Sequence, residues 1–450
     1  MFKAFFVLLF ISTYPLNSSS FTLFDKNTST DNGIEALDLD FKFTAMHRNF
    51  TLNDTDFKYT FVLGEVGYKG ESFNVDLGLS IEDYLETTIN INNLSATFFT
   101  DDYKLKIGKF VTTLGVMDYL TSFDDFNPRR LSFYNDENKN ISRYANWMME
   151  GTAYLQDDIS ISFYVEKYDD QLDDYFYVGN YLLFNNFIPF FLNSSENSDM
   201  LLVAQEVFTP VYDQYGKPII EPYAENIYDM LSSDIENSAV GMNFLLNSDD
   251  YTLGALWVNS YSKIPLLKPD DELMDGLEDA FEEDKEHFIQ NYFSKNNVNT
   301  MIEHFRYNKL GAYFETTVDD FGFRGELAYK DKIPVLNELS SQSTIALGVD
   351  YKGFMMYNSL ELKGNYISEL DQGFYQGVLI TKVDPIDLGF VDLKLDHNFY
   401  YAMYDGKDYQ FFKPSVGLEY ENIEFTVEYF YSSENEIIED SFMWLFRMSY

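Results

Sequence analysis

Residues 442–450 read Phe442-Met443-Trp444-Leu445-Phe446-Arg447-Met448-Ser449-Tyr450. A β-strand sends successive side chains to opposite faces. Phe442, Trp444, Phe446, Met448 and Tyr450 therefore share one continuous apolar face, while Met443, Leu445, Arg447 and Ser449 share a mixed one. Two structures accommodate such a strand at the end of a chain. One is the last core strand of a soluble protein; the other is the closing strand of a transmembrane barrel, with its apolar side against lipid. The segment alone leaves both open.

The other end of the chain separates them. Lys3 followed by the apolar run Ala4 to Ile11 is too short for a membrane-spanning helix and has the form of a secretory signal. Ser18 and Ser20 fit the small −3 and −1 positions of a cleavage site, so residues 1–20 are expected to be a signal peptide and 21–450 the mature chain. The alternative is a buried N-terminal helix. The chain contains no Cys, which excludes a lipid anchor on cysteine, disulfides and cysteine metal ligands. A secreted chain of this length must then rest on its own hydrogen-bonded sheet or on a large core. With 43 Phe and 36 Tyr against 3 Trp, the composition favours strands. Aromatic girdles at membrane interfaces would use the same residues. The mean hydropathy is slightly negative, as a barrel with a wet interior requires. The formal net charge of −43 excludes nucleic acid as a partner, since phosphates would be repelled.

Alternating segments of about ten residues recur along the mature chain. Leu37, Leu39, Phe41, Phe43 and Ala45 lie on one face, and Asp38, Asp40, Lys42 and Thr44 on the other. Phe73, Val75, Leu77, Leu79 and Ile81 repeat the pattern, and so on to the C-terminus. Short connections such as Lys69-Gly70, Asp319-Asp320, Lys352-Gly353 and Glu421-Asn422 carry turn residues. They are expected to alternate strictly with long polar ones, as periplasmic turns alternate with outer loops. The expectation is an all-β fold: a transmembrane antiparallel β-barrel of about 18 strands (range 16–18). Its long extracellular loops include one that is partly helical. No repeated unit points to a propeller or solenoid.

Three insertions interrupt the pattern, at 111–143, 168–237 and 262–307. In the third, Leu273, Leu277, Phe281, Phe288 and Tyr292 fall on one helical stripe, with acidic residues covering the rest. It reads either as a loop helix packed on the barrel mouth or as a lid. The first holds the densest polar constellation, Asp118, Asp124, Asp125, Asn127-Pro128, Arg129 and Arg130. Folded into the lumen, it would form a constriction with opposed charges, which is how pores select solutes. Alternatively, an Arg–Asp network merely pins the loop. Lys104 and Lys106, on the inward parity of the preceding strand, would extend the arginines into a basic ladder. The same parity places Glu150, Arg324, Glu326, Glu361, Lys363, Lys394, Glu424, Glu428 and Arg447 in a polar lumen of both signs, read as a solvated wall.

Catalysis and metals find little support. Of the four histidines, His47 is expected in the first outer loop and His287 and His304 in the helical insertion. His397 is expected on the lipid face, where an outer-membrane hydrolase would place one, but no serine partner is identifiable. No cofactor is expected, and no metal site of His or Cys. Acidic runs such as Asp270-Asp271-Glu272 offer oxygen ligands for Ca²⁺ without the twelve-residue EF-hand pattern.

The C-terminal stretch resembles the barrel-assembly signal of Gram-negative outer-membrane proteins, in which alternating apolar residues end in Phe or Tyr. Lys106-Ile107-Gly108-Lys109 through Asp118, Asp124 and Asn127-Pro128-Arg129-Arg130 resembles a segment of a large porin-like outer-membrane family, related in pattern to alginate-export barrels. Arg324-Gly325-Glu326-Leu327-Ala328-Tyr329 with Ile333-Pro334-Val335, and Gly348-Val349-Asp350-Tyr351, are similar to two further segments of it. The resemblance implies a barrel in the cell outer membrane that passes a small solute, hydrophobic or anionic. Its partners would be that solute, the membrane lipids and the barrel-assembly machinery. The expected function is a porin without enzymatic activity. The alternatives are a plugged barrel acting as a surface receptor, adhesin or structural protein, and an outer-membrane hydrolase.

Overall fold

The computed structural model describes residues 39–52, 55–83, 87–123, 125–127, 143–156, 158–167, 199, 202–203, 211–212, 218–220, 238–262, 266–281, 284–296, 301–303, 305–335, 338–368, 372–404, 407–432 and 441–449. Eighteen strands form one sheet. In chain order they are β1 (Leu39–Leu52), β2 (Thr55–Lys69), β3 (Phe73–Asp83), β4 (Thr87–Phe99), β5 (Tyr103–Phe110) and β6 (Asn146–Gln156). Next come β7 (Ile159–Glu166), β8 (Ala239–Asn247), β9 (Tyr251–Tyr261), β10 (Arg306–Val318), β11 (Phe321–Val335) and β12 (Glu338–Lys352). The last are β13 (Met356–Ile367), β14 (Gln372–Asp387), β15 (Asp392–Tyr404), β16 (Lys407–Tyr420), β17 (Ile423–Ser432) and β18 (Ser441–Ser449). Each pairs antiparallel with its neighbours in sequence, and β1 also pairs with β18 in a register that sets Ala45 opposite Phe446 and Met46 opposite Leu445. The sheet closes on itself and leaves no edge.

The faces follow the parity of the sequence. Phe73, Val75, Leu77, Leu79 and Ile81 of β3 point outward and are 39–47% exposed. Exposed apolar side chains of this kind recur on strand after strand, Leu310, Phe323, Leu347, Leu362, Val416 and Phe425 among them. A continuous apolar belt of this extent is incompatible with water and matches the lipid-facing band of a membrane barrel. On β18, Phe442 lies on this outer face and Leu445 is buried on the inner one. No helix among the described residues is long and apolar enough to cross a membrane, which leaves the crossing to the strands.

One end of the barrel is closed off by turns. Gly70 donates to Phe73 O at 2.9 Å, Thr100 to Tyr103 O at 2.8 Å and Ser248 to Tyr251 O at 2.8 Å. Asp319 (φ 53°) and Glu421 (φ 51°) adopt the left-handed conformation that tight hairpins demand. The opposite end departs from strict alternation of long and short connections. The long connections there are 111–145, 167–238 and 262–305, whereas β1 ends at Leu52 with β2 starting at Thr55, and β11 ends at Val335 with β12 starting at Glu338. Polar sequence that reads as loop instead continues the ladders, because hairpin partners satisfy each other's backbone groups beyond the membrane. His47 is the clearest correction. It lies within β1, not in a loop, with its ring Nδ1 2.9 Å from Thr60 Oγ1 and its ring facing Trp444.

The 262–305 connection contains two helices, α1 (Asp271–Asp279) and α2 (Lys285–Phe293). Asp270 caps α1 by accepting the Leu273 N–H at 2.9 Å. Leu273 and Leu277 of α1 and Ile289, Tyr292 and Phe293 of α2 are buried. Phe281, assigned to the same stripe from sequence, is instead exposed between the helices.

Candidate constriction site

The chain leaves β5 at Phe110 and does not run out to the mouth. Residues 111–123 and 125–127 instead fold back along the inner wall, which explains the apolar content of this segment. Leu114, Phe123 and Phe126 are buried against Met148, Tyr164, Leu256, Val258, Tyr313 and Ala328, inward residues of β6, β7, β9, β10 and β11. Further along, Leu120 packs on Val378, Ile380 and Tyr400 of β14 and β15. The segment thus lies across the inward faces of the strands from β6 to β15. Full burial of a Phe side chain contributes about 1.5–3 kcal/mol, so the two phenylalanines are substantial anchors. Each sits in a socket made by a wall glycine. A Cβ at Gly311 would lie 2.1 Å from the Phe123 ring, and one at Gly241 would lie 2.7 Å from that of Phe126.

A loop inside a barrel has no strand neighbour for its backbone N–H groups, and two wall carboxylates take that role. Glu326 of β11 accepts from the amides of Val116 at 2.8 Å, Met117 at 3.0 Å and Ser122 at 2.5 Å. Glu361 of β13 accepts from those of Asp118 at 3.0 Å, Tyr119 at 3.1 Å and Leu120 at 2.8 Å. Both carboxylates are almost completely buried. A charged acceptor makes each such bond worth about 1.5–3 kcal/mol. Gly115 permits the approach. Its φ is +80°, and a Cβ there would meet Glu326 Oε1 at 2.2 Å.

Arg324 of β11 balances this charge. It donates to Val116 O at 3.2 Å and to Asp118 at 2.5 Å on the loop, and to Asp350 at 2.7 Å and Ser359 Oγ at 3.2 Å on the wall. Glu361 lies 3.3 Å away. Lys363 donates to Thr121 O at 2.8 Å. Asp125, nearer the end of the described loop, accepts from Lys309 at 2.8 Å and from Tyr307 Oη at 2.8 Å. Asn127 then fastens the loop to its own stem, accepting from Thr112 N at 2.8 Å and donating to Phe110 O and Tyr144 O.

The expected site is therefore built from other partners than sequence proximity suggests. The cations that hold Asp118 and Asp125 are Arg324 and Lys309, on the wall and about 200 positions later in the chain. Asp124, Arg129 and Arg130 lie outside the described residues, as does Tyr450 at the C-terminus. Lys104 and Lys106 do face inward, but not as a free basic ladder. Lys104 pairs with Glu150 at 2.5 Å, and Lys106 lies 4.2 Å over the Phe110 ring. Arg324, Glu326 and Glu361, read from sequence as part of a solvated wall, are instead the buried anchors of the loop. The signal for them was faint: charged residues alternating with apolar ones in strands well removed from the insertion.

The lumen is also less uniformly polar than its charges suggest. Met46, Phe61, Leu63 and Leu445 form a fully buried apolar group on the inner faces of β1, β2 and β18, with Met443 packed against it. Phe411, which packs against the Leu120 group, stacks on Phe430 at 5.4 Å, and Arg48 lies over Phe430.

No family model matches the chain, and no curated protein matches it. Among solved structures, it overlaps OccK3 (OpdO) of Pseudomonas aeruginosa at 8% identity and a TM-score of 0.49, over 92% of this chain and 95% of that one. OccK11 (OpdR) of the same organism gives 8% and 0.48 over 91% and 95%. OccAB4 of Acinetobacter baumannii gives 8% and 0.46 over 92% and 97%. At these values the likeness adds nothing to the barrel already established by the strand register.

Proposed function

We propose that this chain is an outer-membrane porin that lets a small solute diffuse through a lumen narrowed by residues 111–127. The observation that carries the reading is the pair of buried wall carboxylates, Glu326 and Glu361, which together hold the amides of Val116, Met117, Asp118, Tyr119, Leu120 and Ser122. A loop held by charge-assisted bonds on one side of a closed apolar-belted barrel narrows the lumen without being required for barrel closure. In this reading residues 1–20 are a signal peptide, the turn-rich end is periplasmic, and the barrel-assembly machinery reads the outward residues Phe442, Trp444, Phe446, Met448 and Tyr450. Asp118, Asp124, Asp125, Arg129, Arg130, Lys104 and Lys106 line or brace the constriction. Acidic runs on the outer connections would take Ca²⁺. The finer kinship, to alginate-export-like barrels, rests on the short stretches around residues 106–130, 324–335 and 348–351.

A plugged barrel serving as a receptor or adhesin is favoured by one observation. Met46, Phe61, Leu63 and Leu445 are buried although they face inward on the arc opposite the loop. For the hydrolase reading, His397 does lie on the outer face, and the ring it meets there is that of Phe412, 5.9 Å away.

Conductance of the refolded protein in a planar bilayer separates the first two readings. Steady single-channel steps, altered in the Arg129→Ala/Arg130→Ala variant, are the result expected of a porin. A folded, heat-modifiable barrel that passes no current would sink that reading in favour of the plugged one.

A further inference from the structure

Anion-selective pores need basic groups whose charge is left uncompensated along the path. Among the described residues of this lumen, the basic side chains around the loop and near the turn-rich end are already matched. Lys309 is bound to Asp125, and its ammonium and that carboxylate are both nearly excluded from solvent. Arg324 has carboxylates of Asp118, Asp350 and Glu361 within 3.3 Å, three negative charges on one guanidinium. Lys363 is occupied with the Thr121 carbonyl. Nearer the turn-rich end, Lys394 pairs with Glu419 at 2.8 Å and lies 3.8 Å from Glu424, which Arg447 also approaches to 3.7 Å. Lys413 lies 3.3 Å from Glu428.

Carboxylates, by contrast, are in surplus. Lys106 stands in the field of both Glu150 and Asp76, and Glu150 is also the partner of Lys104. Glu65, on the inward parity of β2, sits directly opposite Lys42, so that Glu65, Asp76 and Glu150 together balance Lys42, Lys104 and Lys106, and the excess lies elsewhere on the path. Glu315 shares the inward parity of Tyr313 and is exposed. Asp118 remains 55% exposed toward the lumen although it binds Arg324. At the mouth, α1 presents exposed Asp271, Glu272, Asp275, Glu278 and Asp279. A low-dielectric channel lined by an excess of one sign concentrates the opposite ion.

We infer that the channel passes cations in preference to anions, and that its solute is a small cation or carries an exposed positive group. The inference rests on the porin reading. It opposes the basic-ladder expectation, and it uses carboxylates outside the loop anchors, so the two readings can be tested apart.

The test is the reversal potential of the full-length refolded protein in a planar bilayer under a potassium chloride gradient. The expected sign gives a potassium-to-chloride permeability ratio several-fold above one. In an Asp76→Asn/Glu65→Gln variant that remains heat-modifiable, the ratio should move toward one. Substituting Asp271→Asn, Glu272→Gln and Asp275→Asn should lower the ratio only at low salt, because screening at high salt removes the contribution of a mouth charge. Steady conductance with chloride preference would overturn this inference and leave the porin reading standing. A ratio that Asp76→Asn/Glu65→Gln leaves unchanged would overturn it as well. No conductance from the folded barrel would overturn both.

Discussion

The amide of Leu120 donates to the Glu361 carboxylate at 2.8 Å, across 241 positions of sequence. The loop tip is thereby held against β13, and Leu120 reaches the apolar pocket of Val378, Ile380 and Tyr400. The backbone of Glu361 belongs to the ladders that close the barrel, but its carboxylate is turned to the loop. It determines where the loop stands inside the barrel.

Replacing Glu361 by Ala should therefore leave the barrel assembled and free the loop. Three amides lose an anionic acceptor, at about 1.5–3 kcal/mol each before water re-satisfies them, and Arg324 keeps Asp118 and Asp350. The expected outcome is a heat-modifiable band like that of the parent, with larger and noisier single-channel conductance. Unchanged conductance would mean the loop does not limit the path.

Asp125 and Lys309 form a nearly solvent-free pair. Removing one partner of such a pair typically costs about 3–5 kcal/mol, because the other charge is stranded. Asp125→Ala is expected to lower the urea midpoint of the micelle-solubilised protein. Combining it with Lys309→Met should restore much of the loss, since no charge then remains buried. Equal midpoints for the single variant and the parent would show the pair to be solvated.

The glycine socket can be filled from the other side. Gly311→Val brings methyl groups into the space of the Phe123 ring, which lies 2.1 Å from where a Cβ would be. Overpacking of this kind costs about 1–3 kcal/mol, and the lower-energy response is expulsion of the phenylalanine. Limited proteolysis within 111–127 should then become faster than in the parent, while the strands stay protected. Resistance equal to the parent's would refute the socket.

Between the helices, Tyr292 Oη donates to the Asp270 carboxylate that caps α1. Burial, reinforced by that hydrogen bond and the negative charge of Asp270, pushes the Tyr292 phenol up to about 12 from its ordinary 10. A proton held more tightly in the folded state stabilises the helix pair fully below pH 10 and less as pH rises toward 12. Hydrogen exchange across residues 270–293 should accelerate over that window in the parent. Tyr292→Phe should already exchange faster at neutral pH, with a weaker dependence on alkali. Parallel profiles for the two proteins would remove Tyr292 from the account.

The barrel was legible in the sequence because its rule is local. Alternation with period two assigns each residue a face without knowledge of any distant partner. It predicts the eighteen strands, the outward row Phe442, Trp444, Phe446, Met448 and the inward parity of Glu326 and Glu361 alike. Strand ends were less legible. The polar residues beyond Ala45, among them His47, carry no hydrophobic alternation once the strand leaves the membrane, so a ladder and a loop look the same.

The site obeyed a different rule. Arg324, Glu326 and Glu361 could be placed on the inner face by parity. Nothing in their neighbourhoods, however, announced that they hold a segment two hundred positions earlier. Nor did Gly311 and Gly241 declare themselves as sockets for Phe123 and Phe126. Such roles arise only when closure of the sheet brings β6 to β15 around a common interior. Side-chain direction is a property of each strand alone, and the sequence determines it. Which buried carboxylate meets which amide depends on the curvature and shear of the whole barrel, and tertiary structure alone decides that.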